Sequence, residues 1–297
     1  MLLIVARIFY PQGFSIKYFY SLVKPGIIFG NIITLAGGFF LAAKGNINIK
    51  LLFATIVGIS LIIACGCVFN NIIDKDIDKV MERTKNRVLV QGLIPDSVAF
   101  LYALVLGLLG IFVLYQGTNY LTLFIAIFGL FIYVVLYSLY LKRHSIYGTL
   151  IGSISGSIPP VAGYCAVTNK FNLGALLLFL ILSFWQIPHS YSIAIYRIND
   201  YTNAKIPVLP VVKGINHTQK AMLIYIIGFI VFSSLLSITG YTGTFYLIIN
   251  IILGCSWLRL WYLGRNLEDS KKWARSMFLF SIIIITTISI IMAFDYK

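Results

Sequence analysis

The chain has 297 residues, of which 60% are hydrophobic, 15% aromatic and only 11% charged. So little charge cannot cover a soluble domain, where about 25% is usual. Disorder is excluded as well, since it needs low hydrophobicity and high net charge. The formal net charge of +14, from 23 Lys and Arg against 9 Asp and Glu, would suggest nucleic acid in a soluble protein; in a membrane protein it is what cytoplasmic loops and anionic lipid account for.

In chain order, the apolar run Met1 to Tyr10 is interrupted by Arg7 and has no small-residue cleavage site, so no signal peptide is expected. Residues 1–20 are expected to form a cytoplasmic amino-terminal segment. Nine apolar runs follow that are long enough, at about 20 residues, to cross a bilayer. They cover 25–43, 51–72, 97–116, 120–141, 146–168, 173–196, 221–239, 244–263 and 276–294. Barrel strands would instead alternate over about 10 residues, so the expected fold is all-α, a polytopic bundle of nine transmembrane helices. The fifth run is broken between Gly148 and Gly163 by Pro159 and Pro160, which a membrane helix tolerates where protein or a polar cavity satisfies the freed backbone. Cys65, Cys67, Cys165 and Cys255 lie in apolar stretches, where small thiols pack well.

With the amino terminus in the cytoplasm, every Lys and Arg except Lys44, Lys50, Lys170 and Lys297 falls on the cytoplasmic side. The links after spans three and seven are tight turns. Those after spans two, six and eight are about 12 to 25 residues long and all cytoplasmic, and function concentrates in loops held by a rigid scaffold.

Four of the nine acids (Asp74, Asp76, Asp78 and Glu82) crowd the end of span two. On a continuous helix Asn70, Asp74, Asp78 and Glu82 follow at i+4 and share one stripe, with Asp76 turned away. Neighbouring carboxylates repel, more strongly near lipid, and an oxygen-only set of Asn and Asp suits Mg²⁺ completed by water and substrate phosphates. The plainer reading is a solvated helix end paired to Lys75, Lys79 and Arg83. A second polar segment favours the metal. After span six come Trp185-Gln186-Ile187-Pro188-His189, then Arg197-Ile198-Asn199-Asp200-Tyr201, and Asp200 is the only acid between Asp96 and Glu268. Two acidic helix ends facing one cavity could bridge a diphosphate through metal, with Arg83, Lys85, Arg87, Lys142, Arg143, Arg197 and Lys205 neutralising the rest. Aromatic faces could shelter an allylic cation.

At these residues the sequence resembles the UbiA-type intramembrane prenyltransferases, whose first motif is matched by Asn70-Asn71-x-x-Asp74-x-x-x-Asp78. Within them it is most similar to the haem-farnesylating branch, the haem O synthase family. That closer likeness is carried by Asn70 to Arg87, Lys24-Pro25-Gly26-Ile27-Ile28, Tyr147 to Tyr164, Trp185-Gln186-x-Pro188-His189, and Asp200-Tyr201 followed by Ile206-Pro207-Val208-Leu209-Pro210. The resemblance implies one intramembrane prenyltransferase domain over 1–297, with nine helices around a central cavity capped by cytoplasmic loops, in a bacterial inner membrane. It implies that haem B, farnesyl diphosphate and water give haem O and diphosphate, with Mg²⁺ as cofactor and haem B as substrate. Asn70, Asp74, Asp78 and Asp200 would hold the metal, and Asn71 falls within the same motif. Ala204 stands where many relatives carry a second acid. The lipid bilayer and terminal-oxidase assembly proteins are the implied partners; nucleic acid is not one.

Of the three histidines, His189 lies inside a span and is a candidate for catalysis or haem contact, with a packed, hydrogen-bonded His as the alternative. His144 and His217 read as loop residues. Arg87 and Arg197 are candidate phosphate forks, although orientation alone explains most basic residues. Trp185 and Tyr201 line the cavity or belong to the interfacial belt. Asp96, Glu268, Asp269 and Asp295 read as solvated charge, and Glu82 is undecided. Two other functions fit the acids: prenyl transfer to a hydroxybenzoate or quinone precursor, and a cation-coupled transporter, the latter disfavoured because the acids sit at helix ends rather than the midplane.

Overall fold

The computed structural model describes residues 15–264 and 269–297. Arg7 with most of the amino-terminal segment, and Glu268, lie outside the described residues. Among those described, nine helices are long and apolar enough to span a membrane: Pro25–Ala43, Ile49–Ile73, Asp96–Gly117, Tyr120–His144, Gly148–Thr168, Leu173–Tyr196, Ile215–Ile238, Thr244–Leu263 and Ser270–Ile291. The nine expected spans are all present. Spans seven and nine start six residues earlier than their apolar runs, because polar residues extend the helices beyond the hydrocarbon. His217 is therefore in the first turn of a helix and not in a loop. The link after span eight shrinks for the same reason: span eight ends at Leu263 and Asp269 already caps span nine, its Oδ1 accepting from Lys272 N at 3.0 Å.

The chemistry is turned outside in. Phe29, Phe53, Leu108, Phe124, Ile224 and Ile248 are exposed, whereas Asn70, Asp74, Asp78, Ser157, Ser192 and Asp200 are buried. Water would not tolerate that apolar exterior; lipid does. Short interfacial helices (Ile16–Leu22, Lys75–Val80, Ile198–Asn203 and Leu209–Val212) cluster with the long links.

Helix starts are set by polar side chains. Asn48 Oδ1 accepts from Leu51 N, and Asn119 Oδ1 from Thr122 N. The fifth span divides at Ser157 into Gly148–Gly156 and Ile158–Thr168, with proline in the first turn of the second piece, where the missing N–H costs nothing. The Ser157 hydroxyl donates to Ser153 O and so accepts from Ser183 Oγ of span six at 2.8 Å. Ten residues of span four, Ile132–Leu141, are π-helical. No sequence signal marked this stretch, and such segments often sit at functional sites.

Close approach of spans one and five rests on two glycines. A Cβ at Gly38 would lie 2.1 Å from Pro160 O, and one at Gly163 would lie 2.2 Å from Leu35 O. Small residues let membrane helices pack at backbone contact. At the opposite end of the bundle from the long links, Asp295 is structural, not free charge: its backbone O accepts from Gly243 N at 2.7 Å and its Oδ2 from Tyr246 N at 2.6 Å, closing the start of span eight. Gly163→Leu should lower the thermal midpoint in detergent, since overpacking costs about 1–3 kcal/mol even without a backbone clash; an unchanged midpoint would contradict this crossing.

Candidate active site

Span two does not continue as one helix past its apolar run. It ends at Ile73, Asp74 caps it, and a six-residue helix, Lys75–Val80, follows. Asp74 O still accepts from Asp78 N at 2.7 Å, so Asn70, Asp74 and Asp78 remain in step. Met81 then turns extended, and the expected stripe loses Glu82. Glu82 points to solvent, 72% exposed, and pairs with Lys85 at 2.6 Å. The physical reason is that the helix ends at Val80, before the fourth i+4 step.

The acids that stay are buried and each has a cation from elsewhere in the chain. Lys142, at the end of span four, pairs with Asp74, and Arg87 pairs with Asp78. Asn70 ties three elements together: its Nδ2 donates to Asp74 Oδ2 at 2.7 Å and to Ser138 Oγ at 3.1 Å, and its Oδ1 accepts from Lys24 Nζ at 2.6 Å. Asp76 faces away, as expected, and pairs with Arg143 through two bonds of 2.6 and 2.7 Å. The Arg143 hydrogen bond holds the Asp76 carboxyl below the usual range. Asn71 Nδ2 donates to Leu22 O at 2.8 Å and thereby anchors the amino-terminal interfacial helix.

Lys24, Ser138, Tyr133 and Tyr137 lie beside Asn70 and Asp74 and were not among the candidates the sequence offered. Lys24 caps span one in the left-handed region, φ 52°, which aims its ammonium inward. Burial, then the nearby Arg87 charge, lowers it to about 8. The only sequence hint was Lys24 preceding Pro25-Gly26. Tyr133 and Tyr137 stack at 5.9 Å on the π segment, within electrostatic reach of Asp74. Neither could be singled out among 19 tyrosines, because π geometry decides where they point.

Span six ends in the same way. Tyr196 closes it, and a second six-residue helix, Ile198–Asn203, carries buried Asp200. The two connections meet: Glu82 N donates to Asp200 Oδ1 at 3.1 Å, and Ile77 and Met81 pack with Ile206, Tyr201 and Ala204. Tyr201 is within reach of Lys142 and Asp200, and burial pushes its phenol up. Arg83 is exposed yet close enough to Tyr137 and Tyr201 to act on them. Arg197 meets no acid among the described residues; its guanidinium lies over the Tyr196 ring at 4.7 Å. Ala204, at the end of its short helix, leaves Asp200 as the one carboxylate on this connection.

Asp74 Oδ1 and Asp200 Oδ2 are buried with no hydrogen-bond partner among the described residues. A buried carboxylate oxygen left unpaired costs about 1–3 kcal/mol or more, so both are disposed to take a cation. Among the described residues no three His, Cys, Asp or Glu side chains converge on one point. That donor set suits Mg²⁺, which uses one or two carboxylates and completes its shell with water and substrate phosphates. His189 lies deeper in span six, half-buried and stacked on Trp185 at 4.6 Å, with its Nδ1 on Ser281 Oγ at 2.7 Å. Trp185 Nε1 donates to Ser281 O at 2.8 Å. His144 is exposed, its Nδ1 against Tyr140 O.

Comparison with known proteins fits this architecture. Residues 31–282 match the UbiA prenyltransferase family. The chain is 54% identical over 282 residues to proteins named protoheme IX farnesyltransferase from Serratia proteamaculans and Edwardsiella ictaluri, covering 95% of this chain and 95% of each relative. A solved digeranylgeranylglyceryl phosphate synthase superposes with a TM-score of 0.76 at 19% identity, over 93% of this chain and 98% of that one. A UbiA homologue from Archaeoglobus fulgidus bound to GPP and Mg²⁺ gives 0.70 at 13%, over 93% and 99%. We expect Asp76→Asn to leave catalytic activity within about twofold of wild type, because a surface pair is worth only about 0–1 kcal/mol. Asp74→Asn and Asp78→Asn should each cost at least about a hundredfold, as removal of one key electrostatic group does elsewhere. Steady-state rates of the three variants separate the faces.

Proposed function

The chain belongs to the UbiA prenyltransferase family, and on that premise we propose that it farnesylates haem B: farnesyl diphosphate, haem B and water give haem O and diphosphate. The observation that carries the reading is the burial of Asn70, Asp74, Asp78 and Asp200 on two connections joined by the Glu82 N to Asp200 Oδ1 hydrogen bond, together with relatives of that name at 54% identity over 95% of the chain. All of residues 1–297 form one catalytic domain in this proposal, the amino terminus and the site lie on the cytoplasmic side of a bacterial inner membrane, and the product passes to assembly proteins of a terminal oxidase.

Asp74 and Asp200 would hold Mg²⁺ through their unpaired oxygens, with Asn70 and Asp78 completing the first motif. The metal, when bound, supplies positive charge to the diphosphate oxygen that leaves farnesyl. Lys142 and Arg87, now paired to Asp74 and Asp78, would turn to the phosphates, and Lys24 adds a third cation. Holding these charges in place beforehand lowers the reorganisation needed when the carbon–oxygen bond breaks. Tyr133 and Tyr137, stacked on each other near Asp74, would offer their ring faces to the allylic cation. The vinyl group on carbon 2 of haem B attacks that cation, water adds to the resulting centre, and a proton is lost, leaving the hydroxyethylfarnesyl chain. Burial of the site excludes water from the first cation until the vinyl group captures it.

Purified protein incubated with haem B, farnesyl diphosphate and Mg²⁺ should yield haem O by mass spectrometry, and a metal chelator should abolish it. Absence of haem O, with prenylated 4-hydroxybenzoate in its place, would sink the haem reading. Lys24→Met should raise the KM for farnesyl diphosphate about tenfold, in line with about 1.5–3 kcal/mol for a hydrogen bond to a charged group.

A further inference from the structure

His189 presents a single nitrogen to a ligand, and its protonation state follows from its neighbours. The Ser281 hydroxyl has one hydrogen and donates it to Phe278 O at 2.6 Å. It therefore accepts in its 2.7 Å contact with His189 Nδ1. Nδ1 must carry the ring proton. Nε2 is then the lone-pair nitrogen, and it makes no hydrogen bond among the described residues. A neutral imidazole pinned through Nδ1 with Nε2 free is the form that ligates a metal, and the partner on Nδ1 sets the orientation of the ring. Trp185 stacks on the ring and Phe278 lies 4.9 Å away, so aromatic contacts also fix the imidazole plane.

Tyr196 lies seven residues further along span six, so it shares the His189 face about 10 Å nearer the helix end. Two guanidiniums gather on its ring, Arg197 at 4.7 Å and Arg275 of span nine at 5.9 Å. Neither forms an ion pair among the described residues, unlike Arg87 and Arg143. They stand at the membrane edge, above the histidine, as a pair of cations for two carboxylates.

We infer that haem B is held with its iron on His189 Nε2 and its propionates on Arg197 and Arg275. The inference rests on the haem reading above. It gives span six two tasks, since Asp200 at its end serves the diphosphate while His189 fixes the acceptor. Ser281 is a positioning residue, acting only through the imidazole.

The test uses the purified full-length protein with haem B, read by resonance Raman of the ferrous form. Wild type should show an iron–histidine stretching band. His189→Ala should lose it along with at least tenfold in haem affinity, and added imidazole should restore the band. Ser281→Ala should keep the band but shift its frequency, and Ser281→Thr should restore it. Haem B dimethyl ester should bind wild type at least tenfold more weakly than haem B, and equally in an Arg197→Ala, Arg275→Ala double variant. An unchanged band in His189→Ala overturns the ligand assignment; if that variant does not purify, an unshifted band in Ser281→Ala does so. Equal binding of ester and acid by wild type overturns the propionate assignment. Haem O production by wild type in parallel keeps the two readings apart. Haem O formed while the band survives in His189→Ala removes only this inference, whereas no haem binding and no haem O removes both.

Discussion

The polar end of the molecule is organised around three acids, Asp74, Asp78 and Asp200, that are buried in an otherwise apolar bundle. Removing one partner from a buried ion pair typically costs about 3–5 kcal/mol, because a charge is left without compensation. The fold meets this constraint by drawing cations from distant places: Lys142 from span four, Arg87 from the link after span two, and Lys24 through Asn70 from span one. The compensation is incomplete at Asp74 Oδ1 and Asp200 Oδ2. Those two oxygens are what distinguishes the cluster from a closed set of salt bridges, and they carry the proposal that it takes a cation.

That arrangement needs helices that do not run straight. Spans two and six both stop and resume as six-residue helices, Lys75–Val80 and Ile198–Asn203, which carry Asp78 and Asp200 in buried positions. The π segment of span four brings Tyr133, Tyr137 and Ser138 to the same cluster, and Lys142 follows directly after it. Irregular backbone in a membrane survives only where protein or a polar cavity satisfies it, so these departures coincide with the polar centre. The glycines at the crossing of spans one and five have the opposite role, holding the outer scaffold at backbone contact.

The span count was legible because the hydrophobic threshold for crossing a bilayer is local and additive along the chain. Asp74, Asp78 and Asp200 stood out because acids are scarce in this sequence, and the structure buries all three. Glu82 stayed undecided in the sequence because its place on the stripe required a helix continuing past Val80, where the helix ends. Asp269 and Asp295 were taken for solvated charge but cap helices, since a cap depends on where a neighbouring helix begins. Lys24 escaped notice because its meaning lies in a positive φ and in a partner 46 residues away.

The sequence by itself determined that this is an all-helical membrane protein with all its acids but Asp295 at one end, since hydropathy and charge are properties of each segment. The resemblance of its motifs, likewise readable in one dimension, placed it among the prenyltransferases. Only the tertiary structure decided which cation meets which acid, which oxygens are left unpaired, and which nitrogen of His189 is free. Those outcomes are set by helix ends, kinks and hydroxyl donors on other spans, because a hydrogen atom or a charge can be shared only between groups that the packed bundle brings within about 3 Å.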